Sequence, residues 1–154
     1  MMKTFVKILI LTTILLPGML SAETLDEILA MSEEPTGIIV EVLESGPDDL
    51  EEIIPAIQAA ARQLRKKFPD LPVAIVSHGY EQFALTKKNI KRYPELETGV
   101  KDLVDGEIDV HVCGTHASWY GITPEEYPEY INVSAAGPAQ INDYINLGYI
   151  KLDL

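Results

Sequence analysis

Cysteine is almost missing from this chain, with Cys113 the one thiol in 154 residues. A single thiol closes no intrachain disulfide, which excludes a disulfide-stapled mini-fold and a Cys-rich zinc module. Basic residues are scarce as well: 12 Lys and Arg stand against 24 Asp and Glu, a net charge of -12. So acidic a surface repels phosphate backbones and anionic lipid headgroups, so nucleic acid and membrane surfaces are not expected partners. No Walker or dinucleotide glycine fingerprint occurs. Ser77 and Ser118 lack a nucleophile-elbow context, which leaves hydrolase chemistry without a nucleophile. Beyond residue 22 no apolar run reaches the roughly 20 residues of a membrane span.

The chain does contain the makings of one core, being 47% hydrophobic. At its start, Lys3 and Lys7 precede the apolar run Ile8–Leu16, Pro17-Gly18 breaks it, and Ser21-Ala22 precedes Glu23. This three-part layout is that of a secretory signal peptide over residues 1–22, with cleavage after Ala22 and no stable membrane span thereafter. A periplasmic or secreted location is the expectation. Residues 23–35 are acidic and end in Pro35, which suits a linker or a short helix.

From residue 36 to 154 strand-like and helix-like segments alternate. Strands are predicted at 37–43, 72–77, 107–113, 130–134 and 149–152. Helices are predicted at 47–68, 96–104 and 138–146, a helix or loop over 80–92, and a capped helix start at Thr123-Pro124-Glu125-Glu126. The alternation predicts an α/β domain, three-layer α/β/α around a mainly parallel five-stranded sheet. Ligands of such sheets bind outside the carboxyl ends of the strands.

Two reactive segments end strands there. Ser77-His78-Gly79 follows the second, and Cys113-Gly114-Thr115-His116 the third. Cys113 is the candidate nucleophile, since a thiolate is the attacking form of cysteine. Gly114 permits close approach of a ligand or another backbone. His78 and His116 are able to serve as base or cation beside the sulfur, provided the two strands are neighbours. The structural alternative is a buried inert thiol with histidines bonded to loop backbone. His111, in phase with Cys113, suits a satisfied core histidine. Gly79, Gly114 and Gly137-Pro138 put backbone N–H groups at the same edge, where an anion can be held. Cys113-x-x-His116 with His78 and His111 forms no ligand-spacing signature, so neither metal nor cofactor is expected. The basic groups Arg62, Arg65, Lys66, Lys67 and Lys87, Lys88, Lys91, Arg92 suit solvated helix faces. Trp119 and Tyr120 suit a pocket wall or a subunit contact.

The ordered set Val73–Gly79, Val110–Gly114, Gly121–Glu125 and Ala136–Ile141 through Leu147-Gly148-Tyr149 resembles the DsrE/DsrF-like family of sulfur-handling proteins. The resemblance spans about residues 36–154. It implies a three-layer α/β/α subunit, assembly into a homotrimer or homohexamer, and a cysteine after the third strand that accepts sulfur as a persulfide. Cys113 matches that position. On this reading the partner is a small sulfur compound or a sulfur-carrying protein, the activity is sulfurtransferase-like, and His78, Gly79, Gly114 and His116 surround the bound sulfur. Two alternatives stand beside it: a non-catalytic metal- or small-ligand-binding module, and a structural oligomer with an inert buried thiol.

Overall fold

The computed structural model describes residues 22–154, so the signal-peptide reading of residues 1–22 lies, apart from Ala22, outside the described residues. In the acidic segment that follows, β1 (Glu23–Thr24) leads into α1 (Leu25–Ala30). Thr24 caps α1, exchanging bonds with Glu27 in a capping box. The remaining strands are β2 (Ile38–Val42), β3 (Val73–Ser77), β4 (Ile108–Cys113), β5 (Asn132–Ser134) and β6 (Ile150–Asp153). Helices α2 (Leu50–Lys67), α3 (Pro94–Asp105), α4 (Gly114–Trp119) and α5 (Gly137–Asn146) connect them.

All six strands run parallel, in the order β1-β6-β2-β3-β4-β5. The expected five strands are thus joined by one more, the two-residue β1, which pairs Glu23 with Leu152 at the edge. Its brevity hid it from the sequence pattern. β2, β3 and β4 are β-branched runs free of Gly and Pro, which suits strands packed on both faces.

The order explains how the layers fill. From β1 to β2 and on through β5 the chain always moves across the sheet in one direction. Right-handed crossovers therefore place α1, α2 and α3 on one face. Only the β5-to-β6 connection moves back, and it puts α5 on the other. On the first face Ile38, Val40, Val42, Val73, Ile75, Val110 and Val112 pack beneath Leu50, Ile54, Ile57, Leu64, Val100 and Leu103. On the second, Ile39, Ala74 and Val76 meet Ile141 and Tyr144 of α5, with Ile145 and Tyr149 alongside. Each fully buried aliphatic side chain contributes about 2 kcal/mol by leaving water. The result is an α/β/α sandwich whose second outer layer is a single helix.

At three places the structure is more specific than the sequence pattern. Residues 80–92 form two 3-10 turns, Tyr80–Leu85 and Ile90–Arg92. The capping box at Thr123 is present, yet it starts only the 3-10 turn Pro124–Glu126. Pro128 disfavours helix at Tyr127, which is extended, and this ends the turn. The segment after Cys113, to which the sequence pattern assigns no element, is α4. Among the described residues no helix is long and apolar enough to cross a membrane.

Candidate functional site

Because every strand is parallel, the carboxyl ends of β2 to β5 share one edge. Val42 pairs with Ser77, Ser77 with Val112, and Cys113 with Ser134. The loops after β2 and β3 are zipped together, His78 N–H donating to Val42 O at 3.0 Å and Tyr80 N–H to Glu44 O at 2.9 Å. A cavity of about 660 Å³ opens at this edge, and its wall includes His78, Gly79, Tyr80, Cys113, His116 and Trp119.

Cys113 is both the last residue of β4 and the cap of α4. Its Sγ accepts the His116 N–H at 3.4 Å, the bond a Ser or Asp cap ordinarily makes. The residue is 4% exposed and is part of the cavity wall. Gly114 does not line that cavity. A Cβ there would stand 3.0 Å from Ser134 O, so its glycine serves the close passage of α4 over β5.

Both histidines are in the wall, but neither ring bonds to the sulfur. His78 places Nε2 2.7 Å from Glu41 Oε1 of β2, and Lys151 of β6 binds the other oxygen of Glu41. His116 holds Nδ1 2.9 Å from His78 O and 3.0 Å from Gln82 Nε2. Protonated, that nitrogen donates to the carbonyl; deprotonated, it accepts from the amide. Either way one nitrogen of each imidazole is fixed by the protein. Among the described residues His78 Nδ1 and His116 Nε2 have no hydrogen-bond partner.

Two fully buried polar residues escaped the sequence reading. Glu81 gathers three donors: Ser77 Oγ at 2.7 Å, Glu44 N at 2.9 Å and Gly79 N at 3.0 Å. Gln82 accepts the Cys113 N–H at 2.9 Å and donates to Gly79 O at 3.0 Å. Together they tie the strand-end loops into one rigid wall. Gly79 is required there, since a Cβ would stand 2.2 Å from Glu81 Oε2 and 2.4 Å from Glu44 O. Gly137, at the start of α5, performs a similar service beside His78 and Cys113. Its missing Cβ would lie 2.5 Å from His78 Cβ and 3.3 Å from Cys113 Cβ, so both side chains close on the same point.

The charges around His78 are balanced locally. Burial pushes the Glu41 carboxyl up, but its bonds to Lys151 and His78 and their charges outweigh this and hold it below its ordinary value. His111, two residues before Cys113, is instead a core group. It bonds Ser134 Oγ at 3.0 Å and Tyr144 OH at 2.9 Å. Burial lowers its pKa, with Asp109 opposing.

No protein-family model matches the chain, and no curated protein matches it in sequence. Several solved structures are similar in fold, and two of them are described by name. One is a protein of unknown function, MTH1491 from Methanobacterium thermoautotrophicum, with a TM-score of 0.61 at 14% identity, covering 75% of this chain and 97% of its own. The other is a conserved protein of unknown function, BT1422 from Bacteroides thetaiotaomicron, with a TM-score of 0.54 at 12% identity, covering 77% of this chain and 95% of its own. What they share with this chain is the α/β fold.

Among the described residues no group of three or more His, Cys, Asp or Glu side chains is arranged to hold a metal ion. What remains is a thiol on a cavity wall, a rigid backbone under it, and two oriented imidazoles nearby. That combination suits nucleophilic chemistry at sulfur, with proton transfer through a ring nitrogen.

Proposed function

We propose that this protein is an exported DsrE/DsrF-like sulfur carrier in which Cys113 accepts one sulfur atom as a persulfide and passes it on. The observation that carries the reading is the placement of Cys113 at the end of β4, on the wall of a 660 Å³ cavity that His78 and His116 also line. Persulfidation is a reversible cap on a thiolate and needs a reachable sulfur with room for the donor. The free ring nitrogens of His78 and His116 supply a route for the thiol proton. The layout of residues 1–22 supports export, and the exposed Leu147, outside the cavity wall, supports further subunits or partners. A homotrimer or homohexamer is the assembly proposed.

Intact-mass spectrometry after treatment with a panel of sulfane-sulfur donors tests the reading. Inorganic polysulfide, thiosulfate and an organic hydropersulfide form the panel. Wild type is expected to gain sulfur that Cys113→Ser does not. No adduct from any donor, together with thiol labelling only after denaturation, returns Cys113 to the inert core thiol that its 4% exposure also suits.

A further inference from the structure

We propose that the donor served by Cys113 is an organic hydropersulfide, at most singly charged, with an apolar body of aromatic size, in preference to an inorganic sulfur dianion. The inference rests on the carrier reading above and adds the class of substrate.

The cavity wall contains no lysine or arginine, and its one carboxylate-bearing residue is Glu44. The protein as a whole carries -12. A dianion such as thiosulfate would enter against that field with no lysine or arginine to receive it. Most of the backbone donors that an anion would use are already engaged. Gly79 N–H bonds Glu81, Tyr80 N–H bonds Glu44 O, Thr115 N–H bonds Ala135 O and His116 N–H bonds Sγ. Pro138, also in the wall, has no N–H. Arg62, Arg65 and Lys66 lie around a different cavity, beside Ile108 at the opposite end of β4.

Shape and apolar surface point the same way. The volume of about 660 Å³ lies within the range of organic-ligand sites and far exceeds the need of a few sulfur atoms. Leu43, Tyr80, Trp119, Ala136 and Pro138 form much of the wall. The His116 ring lies 5.3 Å from Tyr80, 5.2 Å from Phe83, and 5.5 Å from each of Trp119 and Tyr120, centre to centre. These rings leave a ligand an aromatic face to stack on, and Trp119 is 73% exposed with no cover of its own. Within the wall, the side chain of His78 is nine-tenths buried and keeps Nδ1 without a protein partner among the described residues.

The step balances without an added oxidant or reductant. The Cys113 thiolate attacks the outer sulfur of R–S–S–H, and a bond from Sγ to that sulfur forms as the donor's S–S bond breaks. The electron pair leaves on R–S⁻, which takes up the proton released when the thiol ionised. The products are the Cys113 persulfide and R–SH.

Two measurements on the full chain test this. The first compares transfer rates to wild type from benzyl hydropersulfide and from thiosulfate at equal concentration, followed by intact mass. The benzyl donor is expected to react at least roughly tenfold faster, and Trp119→Ala to remove about that advantage. The second titrates Cys113→Ser with benzyl mercaptan and follows fluorescence of Trp119, the one tryptophan of the chain. A saturable change that thiosulfate neither produces nor reverses is expected. Thiosulfate transfer as fast as benzyl transfer, or no saturable benzyl mercaptan binding, overturns the donor class and leaves the carrier reading standing. Binding with no transfer from either donor overturns the carrier reading and the donor assignment with it.

Discussion

Glu41 and His78 form a carboxylate–imidazole pair across β2 and the end of β3, 2.7 Å apart, on the sheet face that α5 alone covers. The pair matters because it leaves His78 a single nitrogen, Nδ1, for the cavity. Glu41→Gln keeps the shape and removes the charge that Lys151 and His78 both answer. Glu41 is therefore a positioning residue. Sulfur transfer to Cys113 is expected to slow several-fold, with the pH profile of the rate displaced while the profile of Lys151→Met, which leaves the Glu41–His78 contact intact, moves less. A uniform loss with an unmoved profile would assign Glu41 to structure alone. The stability effect has a definite sign. The lowered carboxyl contributes stability that is complete above the ordinary value of 4.5 and is lost as pH falls through the lowered folded value. In urea unfolding, wild type should exceed Glu41→Gln by up to about 1 kcal/mol at pH 7 and converge with it in acid.

Gly137→Ala is expected to destabilise the protein by roughly 1–3 kcal/mol, although alanine is the better helix former. The added Cβ meets His78 Cβ at 2.5 Å, an atom anchored directly to the backbone, so the relief must come from moving α5 or β3. Gly121→Ala is the informative control. Its φ of +71° strains an L residue, but nothing lies within 4 Å, so about 1 kcal/mol is expected with sulfur transfer unchanged. Denaturant midpoints and transfer rates for the two variants separate these cases.

Gln82→Leu is expected to cost roughly 2–4 kcal/mol, because Cys113 N–H and Gly79 O lose their partner in a buried setting. The same change frees His116 Nδ1 from the amide. If calorimetry showed Gln82→Leu as stable as wild type, the network would not be what fixes the strand-end wall.

His111 gives a second pH signature, in a different window. Burial holds it below its ordinary 6.5, so the unfolded chain protonates first as pH falls. Its contribution is complete above pH 6.5 and is lost as pH drops through the folded value. Wild type should therefore lose stability between pH 7.5 and 5.5 to an extent that His111→Gln does not. Urea midpoints at the two pH values suffice, and parallel slopes for the two proteins would contradict the buried neutral imidazole.

The central strands were legible because their β-branched runs have one structural solution, and Cys113, His78 and His116 were legible because strand ends in such sheets gather at one edge. That neither imidazole bonds the thiol was not legible. It depended on where Glu41 and His78 O lie, and these take up the ring nitrogens. Glu81 and Gln82 read as ordinary polar residues in a short loop, since nothing local signals that the loop is buried and must supply its own partners. Glu41 did leave a trace, as the one charged residue in Gly37–Leu43, in phase with Ile39. α4 was missed because its cap is a sulfur, for which the capping pattern of Ser, Thr, Asp and Asn gives no warning.

The central claim is that a small molecule reaches Sγ of Cys113 in the folded protein and leaves sulfur there. Peptide-level mass spectrometry of native protein, treated with benzyl hydropersulfide and then blocked with an alkylating agent, reads this directly. The peptide containing Cys113 is expected to carry one additional sulfur beneath the alkyl group, and the Cys113→Ser protein to carry none. A native Cys113 that stays unmodified, and takes up sulfur only once the chain is unfolded, would contradict it.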